Sequence, residues 1–187
     1  MKQEQIDLFF KKLDSELNVP ADIILSGASA GALMGNLRPS LDIDFEIKLK
    51  GRSVQQARWR LEQAIQKTSN ITGIGINYSE HIRGWSMIDY LDYRRTAVFY
   101  KRIGKLRVKI IAPGHWTIGK MARFLELDIQ DIIRIIKAKK LKPEVLIHLW
   151  ARALRKSPLS IELGQFRDHV LYFIKKYGKK VWGPRAP

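Results

Sequence analysis

The period of the hydrophobic positions changes several times along the chain, and each change marks an element. Ile6, Phe9, Phe10, Leu13 and Leu17 recur every three or four residues, which predicts an amphipathic helix over 3–17. Pro20 closes that approach, and residues 22–26 read as a short buried strand. Gly27 and Gly31 open a tight turn and a small-residue helix up to Gly35. Residues 41–49 alternate strictly between apolar and polar, the pattern of a strand with one buried face. A helix follows Ser53, a suitable N-cap, on Val54, Ala57, Leu61, Ala64 and Ile65. Residues 71–78 read as a strand weakened by Gly73 and Gly75, and 95–102 with 106–112 read as a hairpin around Ile103–Gly104. From His115 onward the pattern is helical, with breaks near Leu127, Pro143 and Pro158. An α/β portion over 1–112 is therefore expected ahead of an all-helical portion over 113–187.

The alternation over 41–49 carries the first chemical signal. Alternate side chains of a strand share a face, so Asp42, Asp44 and Glu46 point one way while Ile43, Phe45 and Ile47 point into a core. Successive carboxylates on that face sit about 6.6 Å apart at the backbone, close enough to bracket a divalent cation. Oxygen ligands without sulfur or clustered histidine favour Mg²⁺ or Mn²⁺ over zinc. Just before them, Gly27, Ala28 and Ser29 lie between a strand and a helix, where unpaired backbone N–H groups attract phosphate. Acids suited to a metal beside a phosphate cradle point to a nucleoside-triphosphate site. The plainer alternative is an edge strand with a solvated acidic face.

Charge adds a partner. The 187 residues carry a formal net charge of +16, and residues 134–187 alone hold fourteen Lys/Arg against Glu144, Glu162 and Asp168. Such a bias suits a polyanion, because neutralising phosphates releases counterions; a solvated basic helix face is the alternative. No cysteine is present, which excludes a disulfide scaffold and a thiolate zinc site. The four histidines lack metal-ligand spacing. No run approaches the roughly 20 apolar residues of a membrane span, and the N-terminus lacks the apolar core of a signal peptide. A soluble, cytoplasmic protein without membrane contact is expected.

These residues carry a resemblance. Gly27–Ala28, thirteen intervening residues, then Asp42-Ile43-Asp44 on a strand resembles the signature of the nucleotidyltransferase (polymerase-beta-like) superfamily. More narrowly, GASAGALMGNLRPSLDID is similar to the form found in AbiEii-like toxins and related nucleotidyltransferases. The segment APGHWTIGKMARFLELDIQDI agrees, placing Lys120, Arg123, Asp128 and Asp131 on family positions. The resemblance covers roughly residues 22–135. It implies a nucleotidyltransferase fold, α/β (α+β), with a mixed sheet flanked by helices.

It also implies roles. Asp42 and Asp44 hold Mg²⁺ on the triphosphate of an NTP substrate, and Lys120 contacts triphosphate oxygens as a point charge. Gly27, Ala28, Ser29, Arg38 and Arg123 contact the substrate, with Asp131 in support. Asp128 reads mainly as the cap of a helix, and Asp131 divides evenly between capping and site support. For Lys120 and Asp131, eleven residues apart, to serve one site, the helix must break around Glu126–Leu127 and fold back, leaving the Lys120 ammonium in a cleft open to solvent. Two features depart from the family. Ala28 replaces a glycine or serine, leaving any hydroxyl contact to Ser26 or Ser29. The strand expected to carry a third carboxylate has Arg107 and Lys109, so Glu46 or Asp131 compensates or catalysis is weakened.

The leading expectation is an Mg²⁺-dependent nucleotidyltransferase acting on RNA. By resemblance alone, the RNA is tRNA and the protein is the toxin of a toxin–antitoxin pair with an antitoxin partner. The alternative is a non-catalytic nucleic-acid-binding module on a degenerate form of the fold. Modification of a protein or small molecule is a third reading, which leaves the basic C-terminal portion unexplained. Trp85 and Trp182 are candidates for stacking on bases, against packing as the commoner fate.

Overall fold

The computed structural model describes residues 1–35, 40–51 and 54–184. Five strands form one mixed sheet: β1 (Ala21–Leu25), β2 (Asp42–Leu49), β3 (Gly75–Ser79), β4 (Val98–Ile103) and β5 (Leu106–Ile110), in the order β3-β2-β1-β5-β4. β1 is antiparallel to β2 and parallel to β5, β2 is parallel to β3, and β4 is antiparallel to β5. Eight α-helices occur among the described residues. They are α1 (Gln3–Leu17), α2 (Gly27–Leu33), α3 (Val54–Thr72), α4 (Tyr93–Thr96), α5 (Pro113–Arg123), α6 (Glu126–Lys139), α7 (Pro143–Lys156) and α8 (Ile161–Trp182). The fold is α/β with a mixed sheet. None of these helices is long and apolar enough to cross a membrane.

The chain divides into two compact units, one formed by the described residues of 1–33, 37–82 and 97–111, the other by those of 34–36, 83–96 and 112–187. The first holds the sheet. Ile43, Phe45 and Ile47 of β2, with Ile23 and Leu25 of β1 and Val108 of β5, are fully buried on one face. Helix α1 covers that face: Phe9 and Phe10 meet the Phe45 ring edge-on at 5.9 and 5.6 Å. Apart from Ile24 of β1, which is buried, the registered partners on the opposite face are polar. They include Asp42, Asp44 and Glu46 on β2, Asn77 and Ser79 on β3, Asp22 on β1, and Arg107 and Lys109 on β5.

Two sequence expectations shift here. Ile71 and Thr72, β-branched and read as strand, form the last turn of α3, which Gly73 ends at φ +66; β3 begins only at Gly75. Strand β4 starts at Val98, because residues 93–96 close the short helix α4.

The second unit is helical, packed around Ile118, Met121, Ile132, Leu146, Trp150 and Phe173. Its buried indole is satisfied, since Trp150 Nε1 donates to Thr117 Oγ1 at 3.0 Å. The break between α5 and α6 falls at Phe124–Leu125, before the expected Glu126–Leu127. Phe124 adopts the left-handed conformation (φ +53), and its ring stacks on His169 of α8 with centroids 4.5 Å apart. Leu125, not Asp128, is the N-cap of α6.

Candidate functional site

The polar face of β2 is organised around one glycine. β1 ends at Leu25, Ser26 N–H donates to Asp44 O at 2.9 Å, and Gly27 then takes φ +49 to enter α2. A Cβ on Gly27 would lie 2.0 Å from Asp44 Oδ2 and 2.4 Å from its Cγ, so the carboxylate occupies the space a side chain would need. Glycine is thus required twice, for its backbone conformation and for this close approach. Ala28 N–H donates to Asp44 Oδ2 at 3.1 Å, and Asn77 Nδ2 donates to Oδ1 at 3.3 Å.

Ser29 ties the same turn to the strand. Its buried hydroxyl donates to Ser26 O (2.9 Å) and Asp44 O (3.1 Å) and accepts from Asp44 N–H (3.3 Å). The turn expected to cradle phosphate therefore directs the Ala28 N–H and the Ser29 hydroxyl at Asp44 itself. Ser26 Oγ, the other candidate hydroxyl, is buried without a hydrogen-bond partner.

Asp42 is seated similarly and is exposed. A Cβ on Gly75, its registered neighbour on β3, would come within 2.0 Å of Asp42 Oδ1. Its carboxylate makes no hydrogen bond or ion pair among the described residues, while Ser40 Oγ donates to its backbone carbonyl at 3.0 Å. Glu46, third on the face, is only 2% exposed, and its Oε2 accepts from Ile82 N–H at 3.1 Å. Among the described residues no three His, Cys, Asp or Glu side chains gather as a metal site. Asp42 and Asp44 form an oxygen-only pair whose seats are shaped by Gly27 and Gly75, a donor set that fits a hard divalent cation.

The second group of predicted residues lies within the helical unit. The chain reversal at Phe124–Leu125 brings Lys120 of α5 against α6, where Lys120 Nζ donates to Asp128 Oδ1 at 2.9 Å and Asp131 Oδ2 at 2.8 Å. The ammonium also lies over the Trp116 ring, 5.1 Å from its centroid. Arg123 reaches Asp128 through two bonds, Nη2 to Oδ1 at 2.8 Å and Nε to Oδ2 at 3.2 Å. Burial would raise the Asp128 pKa, but the hydrogen bonds and charges of Arg123 and Lys120 outweigh it and hold the carboxyl below its ordinary value. Lys120 is 3% exposed. The expected ammonium in a cleft open to solvent is corrected: a buried cation between two carboxylates occupies that position, because water could not neutralise Asp128 and Asp131 there.

Arg38 lies outside the described residues. Trp182 is tied down, its Nε1 donating to Leu141 O at 2.9 Å, whereas Trp85 is partly exposed. Lys175, Lys176, Lys179 and Lys180 line the exposed side of α8, where Lys176 donates to Tyr172 Oη at 2.7 Å and lies over the Tyr172 and Tyr177 rings. Sequence reasoning missed Asn77 and the seat at Gly75, which depend on strand register, and the Trp116 contact, for which helical spacing (Trp116 and Lys120 four apart) was an available signal.

A scan of protein-family models and searches of curated proteins and of solved structures find nothing that matches the chain.

Proposed function

We propose that the chain is an Mg²⁺-dependent nucleotidyltransferase that moves a nucleotide from an NTP to RNA, on a nucleotidyltransferase-type arrangement of its mixed sheet. The observation that carries this reading is the seat of Asp44 over Gly27, which gives the glycine-then-Asp-x-Asp spacing a physical reason. Asp42 and Asp44 hold the divalent cation, which when bound neutralises charge on the triphosphate. Ala28 N–H, Asn77 and the Ser29 hydroxyl fix the Asp44 carboxylate and the strand beneath it. The acceptor hydroxyl attacks the α-phosphorus, its proton passes to water, and pyrophosphate leaves. Lys120 and Asp131 serve in this reading as positioning residues that hold α5 against α6, and Arg123 holds Asp128 beside them.

RNA as acceptor follows from the basic C-terminal portion; tRNA and an antitoxin partner rest on the family resemblance alone. A second reading, a nucleic-acid-binding module without catalysis, is favoured by Arg107 and Lys109 on the strand expected to carry a third carboxylate. Incubating the protein with α-labelled NTPs, Mg²⁺ and total RNA tests the choice. Label entering RNA with the wild type and absent with Asp44→Asn supports the enzyme; no label with either supports the binding module.

A further inference from the structure

The polar face of the sheet is not acidic throughout. Across β5 and β4, Arg107 is registered with Arg102, and Lys109 with Phe99, so these four side chains share one face. Through β1 that face is continuous with β2, where Lys109 lines up with Ile24 and Ile24 with Glu46. The register shift between Phe99 and Lys101 separates the two sides of β4. Tyr100 Oη and Lys101 Nζ both donate to Asp7 of α1, at 2.9 and 2.8 Å on the packed side, while Phe99 is left 56% exposed. Arg102, Arg107 and Lys109 make no hydrogen bond or ion pair among the described residues. Asp22, the acid registered with Arg107, is paired with Lys50 at 2.7 Å.

Three uncommitted cations and an exposed aromatic ring, on the face that carries Asp42 and Asp44, have the chemistry of a single-stranded nucleic-acid track. The cations follow the phosphates, and the ring takes a base. We propose that β5 and β4 bind the end of the RNA acceptor. Arg102, Arg107 and Lys109 contact its backbone and Phe99 stacks on a base. The basic residues at the position of the missing carboxylate then belong to acceptor recognition. This inference rests on the nucleotidyltransferase reading for the identity of the acceptor.

The test uses the full chain and a fluorescently labelled single-stranded RNA of about six nucleotides, within the usual site size of such surfaces. Phe99→Ala should weaken binding about tenfold without changing its salt dependence, and Phe99→Tyr should retain affinity. Arg107→Ala combined with Lys109→Ala should flatten the slope of log affinity against log salt by about 1.4, roughly 0.7 for each single-strand phosphate no longer neutralised. Lys101→Ala removes a like charge from the opposite side and should leave both quantities unchanged. Wild-type affinity and slope in the Phe99 and Arg107/Lys109 variants would overturn the proposal, as would an equal effect of Lys101→Ala. If those variants bind normally while Asp42→Ala abolishes transfer, the surface is wrong and the enzyme reading stands. If they lose RNA while the wild type transfers no nucleotide, the surface stands and the enzyme reading falls.

Discussion

Two groups of acids sit three and two positions apart in this chain, and they are held in opposite ways. Asp128 and Asp131 on α6 are buried against Lys120, with Arg123 completing the Asp128 carboxylate. Asp42 and Asp44 on β2 are seated over glycines, and the donors that orient Asp44 include a backbone N–H and the neutral Asn77 amide. A carboxylate buried beside its own ammonium is already neutralised and serves to join helices. An exposed carboxylate such as Asp42, held in place by the absence of a Cβ on its neighbour, keeps its oxygens for something the chain does not supply. The difference separates packing from chemistry among residues that look alike in the sequence.

Removing the cation from one group and an acid from the other gives the largest contrast. Lys120→Ala leaves two buried carboxylates without their ammonium and should cost about 3–5 kcal/mol in urea unfolding. Asp42→Ala, at an exposed position, should change stability by no more than about 0.5 kcal/mol. A large loss for Asp42→Ala would make the acidic strand structural and remove the distinction.

Gly27→Ala attacks the seat directly. The left-handed backbone costs roughly 1–2 kcal/mol for a residue with a Cβ, and the added carbon must also displace Asp44. Thermal unfolding should register the strain, and nucleotide transfer should fall further than stability does. An alanine variant with full transfer would show that Asp44 need not sit over residue 27.

The buried group also responds to acid. Asp128 has a folded pKa below its unfolded value of about 3.9, so its contribution is complete above that value and disappears as pH falls through the folded pKa. His115 adds a step at milder pH. Burial lowers its pKa below the ordinary 6.5, with Asp92 opposing and Arg152 reinforcing the shift. Folding therefore favours the neutral ring, and stability should decline as pH drops from 7 toward 5. Unfolding midpoints across that range should fall for the wild type and flatten for His115→Gln.

Arg123→Ala should have the smallest effect, under about 1 kcal/mol in urea unfolding, because its side chain is 59% exposed and water screens the pair. An effect as large as that of Lys120→Ala would mean that the guanidinium, not the ammonium, neutralises Asp128.

How far the sequence foretold this arrangement depends on how local each cause is. The strict alternation over 41–49 places Asp42, Asp44 and Glu46 on one face, and the period of α1 places Phe9 and Phe10 in the core, because both follow from neighbouring side chains. The break between α5 and α6 is legible, but its position is not. Phe124 supplies neither the glycine nor the asparagine that marks such ends, and it is held by stacking on His169, forty-five residues away in the chain. The burial of Lys120 is hidden for a related reason, since its partners meet it only once the helix has reversed. Gly75 looks in the sequence like a weak point of a strand; the registered pairing with Asp42 shows a seat.

The measurement that tests the central distinction most directly is Mn²⁺ titration of the isotopically labelled full chain, followed by amide NMR. Paramagnetic broadening should centre on Gly27, Asp42, Asp44, Gly75 and Asn77, and disappear in a protein carrying Asp42→Asn with Asp44→Asn. Broadening centred on α6, or none near β2, would contradict the account.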